Sequence, residues 1–331
     1  MSLTPDPAPT SGPAPEVVDV RHVRSPRAGL AQGIAAYTFW GVLPLYFVAL
    51  APAGPWEIVS MRIGFALVLC MIMLGVFRQF GRFAAALSQP RVLGLLALAA
   101  VLVGMNWTLY TIATTSGHTL EASLGYFINP LVSILLGVLV LRERLRPLQW
   151  GALILGATAV LVMSVFYGQV PWMSLGLAFT FGFYGLVKSM VGSSWPALVT
   201  LSVETLVLLI PSSIIVGLLI SRDALVFGTA GPANTALMIG TGVITVGPLL
   251  LFGLAASNLP LSTVGMLQYI APILQFIVAV VILHEAMPPE RWAGFFVVWA
   301  AVVLMIADAV LAGRRRRRDR AAEPVEAHPL S

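Results

Sequence analysis

Apolar residues in this chain run almost unbroken for about twenty positions at a time, and polar residues collect in the gaps between the runs. Runs of that length match the roughly 20 residues that an α-helix needs to cross a bilayer. The pattern predicts ten spanning helices, at about 28–50, 56–77, 92–115, 119–141, 147–167, 172–191, 196–220, 233–256, 259–283 and 289–312. Turn-forming residues mark most of the gaps: Pro52 to Pro55, Gly81 to Pro90, Arg146-Pro147, Gly168 to Pro171, Gly228 to Pro232, Asn258 to Pro260 and Pro288-Pro289. Residues 1–27 hold five prolines between Pro5 and Pro15 and no apolar run, the composition of a disordered tail and not of a signal peptide. Residues 313–331 open with Arg314 to Arg318 and read as a basic tail.

The runs also repeat. Sliding the chain by 142 positions places Pro130 on Pro272, Glu143 on Glu285, Pro147 on Pro289, Trp150 on Trp292 and Met163 on Met305, and from Ser123 to Val165 ten of 43 pairs are identical. Two Pro, one Glu and one Trp are among those ten, and shared hydrophobicity alone does not supply them. The loop inside the repeat breaks the symmetry: Arg142, Arg144 and Arg146 of the first copy face His284, Ala286 and Pro288 of the second. Loss of Lys/Arg from one twin is what the positive-inside rule requires of copies inserted in opposite senses. The expected organisation is therefore two inverted five-helix halves, 28–167 and 172–312, an arrangement typical of secondary transporters.

Composition and charge sharpen this picture. The chain is 58% hydrophobic and 10% charged, with a mean hydropathy of +0.92, more apolar surface than a water-soluble core absorbs. Its one cysteine, Cys70, excludes disulfides and cysteine-rich zinc sites. Net charge is +5, but the basic residues sit at helix ends and in the tails, which argues against a nucleic-acid face. With the N-terminus inside, cytoplasmic segments carry 16 of the 19 Lys/Arg, against Arg222 and Arg291 outside and Arg62 within the membrane. Both termini are then cytoplasmic.

Polar groups inside the spans are the candidates for chemistry, because an ionisable group in hydrocarbon costs roughly 2.5–3.5 kcal/mol or more. Arg62 in span 2 and Glu204 in span 7 are exact 142-residue twins of opposite charge. They are expected to approach each other, either as a packing ion pair or as contacts for substrate or a coupling proton. Glu57 and Glu121 begin spans 2 and 4, where a first-turn carboxylate is favoured in any case. Asn129-Pro130 interrupts the hydrogen bonding of span 4, close to Tyr126, and Gln268, Tyr269 and Pro272 recreate the interruption in span 9; paired broken spans point to a transporter binding site. Asn106-Trp107 and Trp40 add a polar handle and aromatic walls. Trp56, Trp150 and Trp292 read as interfacial belt, Asp308 reads as reaching for the cytoplasmic surface, and Lys188, one turn after Tyr184, either does the same or joins Tyr184 as a contact for substrate or coupling.

These residues carry a resemblance. Trp40-Gly41 with Pro44-Leu45-Tyr46-Phe47, Glu57 with Arg62, Asn106-Trp107, the run EASLGYFINPL from Glu121 to Leu131, Glu143-Arg144-Leu145 with Gln149-Trp150, Phe183 to Lys188, Glu204-Thr205, Leu261-Ser262-Thr263 and Gln268-Tyr269-Ile270 with Pro272 together resemble the EamA-type drug/metabolite transporters, most closely the RarD-like proteins. The likeness covers about residues 29–312 and implies an all-α, ten-helix carrier of the bacterial inner membrane for small organic metabolites or drugs. One departure is Val48, where RarD-like proteins often have lysine.

The expectation is an alternating-access transporter with a cavity lined by spans 1–4 and 6–9, on a scaffold of spans 5 and 10. Its partners are a small organic or drug-like substrate and the lipid bilayer, with coupling to protons and oligomeric state left open, and with no cofactor, metal or nucleic acid. The rivals are a membrane-embedded enzyme acting on lipids and a non-transporting receptor or scaffold. All four histidines, His22, His118, His284 and His328, fall in loops or tails, which leaves the enzyme without a midplane His/Asp cluster.

Overall fold

The computed structural model describes residues 26–142, 145–166, 170–192, 194–259 and 261–322. Glu143-Arg144, Gly168, Pro260 and the leader before Pro26, all invoked above, lie outside the described residues. Every element among them is helical: α1 (Pro26–Val48), α2 (Pro55–Val76), α3 (Phe80–Ser88), α4 (Pro90–Thr115), α5 (Thr119–Leu141), α6 (Pro147–Phe166), α7 (Trp172–Val191), α8 (Ala197–Ser221), α9 (Pro232–Asn258), α10 (Leu261–Leu267), α11 (Ile270–Ile277), a π-helical turn (Val278–Ile282) and α12 (Pro289–Ala322). Six of these helices open on proline, whose missing N–H is no loss in the first turn and whose fixed φ suits the helix.

Among the described residues eight helical stretches are long and apolar enough to cross a membrane, one of them Thr263–Ile282 across α10, α11 and the π-helical turn, and α6 supplies a shorter apolar stretch, Pro147–Val162. The burial pattern is that of a bundle in lipid. Val76, Leu139, Val165, Ile210 and Val303 are each more than 60% exposed, while Glu57, Arg62, Asn106 and Glu204 are each under 5%. Hydroxyls within the apolar helices fold back on their own backbone, as Thr111 does onto the Trp107 carbonyl at 2.8 Å and Thr205 onto that of Leu201 at 2.9 Å. A polar residue satisfied in this way is tolerated inside an apolar helix.

Three boundaries differ from those the pattern predicts. The stretch read as turn between spans 2 and 3 contains α3, a short helix whose apolar Ala86 packs against the α2, α4 and α8 core. The predicted ninth span is divided into α10, α11 and the π-helical turn. The last helix runs beyond residue 312 to Ala322, through the arginine run, because lysine- and arginine-type side chains are good helix formers.

The repeat reaches the backbone. Arg142 and His284, twins at the 142-residue offset, both adopt left-handed conformations with φ of 55° and 53°, uncommon for residues other than glycine. Helix contacts follow the same exchange. α1 packs on α9 as α7 packs on α4, α5 packs on α7 as α11 packs on α1, and the twin pairs α2 with α8 and α6 with α12 pack on each other.

Candidate functional site

Arg62 projects from α2 into the centre of the bundle and is 4% exposed. Its Nε donates to Thr245 Oγ1 of α9 at 2.8 Å. Its guanidinium carbon lies 4.4 Å from the ring centroid of Trp107 on α4 and 5.6 Å from that of Phe47 on α1. Aromatic faces of this kind attract a desolvated cation by about 2 kcal/mol. Nη1 is buried without a hydrogen-bond partner, and so is the hydroxyl of Tyr110, one turn after Trp107.

From here an aromatic and polar chain crosses the bundle. Tyr110 packs against Phe47 at 5.9 Å and against Tyr126 of α5 at 5.6 Å. Tyr126 donates its hydroxyl to Asn106 Oδ1 at 3.2 Å, and Asn106 Nδ2 donates to the Leu177 carbonyl at 3.0 Å and to Thr180 Oγ1 at 3.1 Å, both on α7. Asn106 thus ties α4 and α5 to α7 with its amide used on both sides. Phe181 continues the chain from Tyr126 to Tyr184, at 6.1 and 5.8 Å.

The chain ends at Glu204, and here the expected pairing is corrected. Glu204 of α8 is fully buried, but its cation is Lys188 of α7 at 2.6 Å, with the Tyr184 hydroxyl donating to its other oxygen at 3.1 Å. Lys188 also donates to Thr200 Oγ1 at 2.6 Å. Lysine therefore turns inward to the carboxylate in place of reaching for the surface, because an uncompensated buried carboxylate costs more than ordering one lysine stem. Arg62 and Glu204 are twins in sequence without being partners in space. Asp308, also read as surface-seeking, is 5% exposed and pairs with Arg146 at 2.9 Å.

The two proline positions behave differently. α5 runs through Pro130 without interruption, and Asn129 is buried with its Oδ1 unpartnered. In the second copy the helix does break, at Gln268-Tyr269, where the ring of Pro272 would meet the carbonyl four residues back. Ser123 of α5 donates its hydroxyl to the Pro272 carbonyl oxygen at 2.9 Å, tying α5 to α11. Tyr269 does not line the centre: it packs in the core formed with α12, its hydroxyl 3.7 Å from Met305 Sδ. Trp40 belongs to a second aromatic group with Tyr37 and Phe252, at 5.4 and 6.1 Å, and its carbonyl accepts from Gln275 Nε2 at 3.0 Å.

Of the two helix-start carboxylates, Glu57 binds backbone. Glu57, 1% exposed, accepts from the Phe227 amide at 2.7 Å and the Val226 amide at 3.1 Å in the loop before α9. Glu285 accepts from the Thr119 and Leu120 amides at 2.7 and 2.9 Å, capping the otherwise uncapped start of α5 with a charge of the favourable sign. Glu121 is half-buried, and its backbone carbonyl accepts from Ser174 Oγ at 2.7 Å.

Tyr110, Thr180, Thr200 and Thr245 escaped the sequence reading, since lone hydroxyls in apolar helices are common and mostly bond their own backbone. Phe47 stood within a quoted motif but had no assigned role. Two open surface recesses, of about 560 and 450 Å³, lie beside Gly228 to Ile239 and between Arg82 and Trp195, and no expected site residue lines either. At the centre, Arg62, Asn106 and Tyr110 are buried.

Comparison with known proteins agrees with this architecture. Residues 27–165 match the EamA-like transporter family. Protein RarD of Streptomyces exfoliatus is 47% identical over 291 residues, covering 88% of this chain and 92% of its own. A Vibrio cholerae protein described as an uncharacterized transporter is 38% identical over 294 residues, 89% of this chain and 97% of its own. A solved crystal structure superposes with a TM-score of 0.58 at 18% identity, over 88% of this chain and all of that one, a likeness of fold. The chain belongs to the RarD-like proteins of the EamA-type drug/metabolite transporter superfamily and is a multi-pass bacterial membrane transporter.

Proposed function

We propose that the chain is a secondary carrier in which two inverted five-helix halves, 28–167 and 172–312, rock about a site near the bilayer midplane and move a small organic metabolite. The observation that carries this reading is a guanidinium at 4% exposure, held between helices of both halves: α1, α2 and α4 of the first and α9 of the second. A solute reaches such a group only when those helices part, and a carrier parts them on one side at a time. Ten spans with both termini cytoplasmic complete the reading. Glu57 with the Val226 and Phe227 amides, and Glu285 with α5, then close the external side by charge-assisted hydrogen bonds between the halves.

Reconstitution into liposomes loaded with a bacterial metabolite pool tests this. The expected result is exchange of one or a few pool members across the membrane, chemically unchanged, read by mass spectrometry, with an imposed pH gradient reporting proton coupling. Chemical conversion of lipid or pool members would instead indicate the membrane enzyme, and absence of both exchange and conversion a receptor or scaffold.

A further inference from the structure

The guanidinium of Arg62 is a buried cation whose counter-charge is missing. Arg146 pairs with Asp308 and Lys188 with Glu204, and neither pair involves Arg62. The nearest carboxylates in role are already engaged: Glu204 by Lys188 and Tyr184, Glu57 by two backbone amides. Removing a cation from water costs several kcal/mol even after relaxation, and two cation–π contacts return only part of it. A helix bundle that keeps such a group has left a place for an anion.

The geometry says how the anion would be held. Trp107 and Phe47 lie toward the guanidinium, and Thr245 takes Nε, whose own hydroxyl is committed to the Thr241 carbonyl at 2.7 Å. Nη1 is left as a buried, unpartnered donor. Tyr110 adds a second unpartnered donor, its hydroxyl, and its ring packs tilted against Tyr126 at 5.6 Å. A planar guanidinium and one free phenolic donor, both against Phe47, match a carboxylate better than a spherical ion, because its two oxygens can accept from the N–H groups and from the hydroxyl. Aromatic rings around the fork favour an apolar or aromatic body attached to it.

We propose that Arg62 and Tyr110, walled by Phe47 and Trp107, form the receptor for the carboxylate of an organic anion, so that the transported solute is a carboxylic acid in its ionised form. This rests on the carrier reading for its functional meaning, but binding tests it separately.

Purified full-length protein is titrated with benzoate and a panel of mono- and dicarboxylates, each beside its carboxamide and beside sodium chloride at equal ionic strength, with thermal shift and calorimetry as readouts. At least one carboxylate is expected to bind while its amide and chloride do not. Arg62→Gln should abolish that binding. Arg62→Lys, which keeps the charge and loses the fork, should weaken it by about tenfold or more. Tyr110→Phe removes a hydroxyl that has no partner, so it should leave melting unchanged and weaken carboxylate binding by about tenfold; this variant keeps the test decisive if Arg62→Gln fails to fold. No carboxylate preferred over its amide, an equal effect of chloride, or carboxylate binding that survives both Arg62→Gln and Tyr110→Phe overturns the inference. Flux separates it from the carrier reading. Arg62-dependent binding without transport refutes the carrier and leaves the receptor, whereas transport of a neutral solute that Arg62→Gln does not alter refutes the receptor and leaves the carrier.

Discussion

Lys188→Met is expected to destabilise the protein by about 3–5 kcal/mol, the cost of leaving one member of a buried ion pair uncompensated. Glu204→Gln should cost less, about 2 kcal/mol, the scale of a lost hydrogen bond to a charged group. The asymmetry follows from exposure: the Glu204 side chain is 0% exposed and that of Lys188 is 26%. A lysine deprived of its carboxylate keeps Thr200 and can swing its ammonium toward water, while a glutamate deprived of its lysine keeps only the Tyr184 hydroxyl. Combining the two changes should recover most of the loss, since neutral groups of similar volume replace a buried pair at little cost. Exchanging Arg62 and Glu204 should give no such recovery, because those residues do not pair. Thermal unfolding of the four variants in detergent checks the series. Equal losses from the two single changes, or rescue by the Arg62 and Glu204 exchange, would contradict the pairing.

Gly242→Val is the second change expected to have a large effect, and it acts on shape instead of charge. A Cβ at position 242 of α9 would sit 2.6 Å from the Phe65 carbonyl oxygen and 2.7 Å from its carbon, both in the backbone of α2. Backbone cannot rotate away as a side chain can, so the helices must separate. Overpacking of this kind costs about 1–3 kcal/mol where the surroundings are rigid. In a carrier the same wedge lies between α2 and α9, below the Glu57 contact, so part of the strain is relieved by populating the form in which the external side is open. The variant should melt lower, and a reagent added from outside should modify a cysteine at Phe65 faster than in the parent. Unchanged melting and unchanged labelling would show that α2 and α9 are not in this close contact.

Much of the architecture was legible in the chain because a bilayer leaves few solutions. Runs of about twenty apolar residues can satisfy their backbone only as helices, and the prolines that open α2, α4, α6, α9 and α12 stand where the pattern places its boundaries. The 142-residue offset also carried through to the backbone, down to the left-handed Arg142 and His284. What the offset could not give is contact. Arg62 and Glu204 occupy twin positions, yet Tyr46, the twin of Lys188, is not a cation and donates its hydroxyl to the Leu237 carbonyl, so the two halves satisfy their buried charges by different means. Periodicity likewise cannot say which proline breaks its helix: Pro130 is accommodated within α5, whereas the stretch before Pro272 divides into α10 and α11. Tyr110 was invisible because its importance is the absence of a hydrogen bond, and only packed neighbours reveal an absence.

The central claim, that two halves move against each other about a buried centre, is tested most directly by distances at the two ends of the bundle. With Cys70 replaced by alanine, spin labels at exposed Trp56 and Thr229 report one end, and labels at exposed Gln89 and Ser194 report the other. Each pair spans the two halves. Measured in nanodiscs, the parent and Gly242→Val should show the first distance lengthening as the second shortens, with Gly242→Val shifted toward the longer Trp56 to Thr229 separation. A single unchanging distance at both ends, or two distances that lengthen together, would contradict the account.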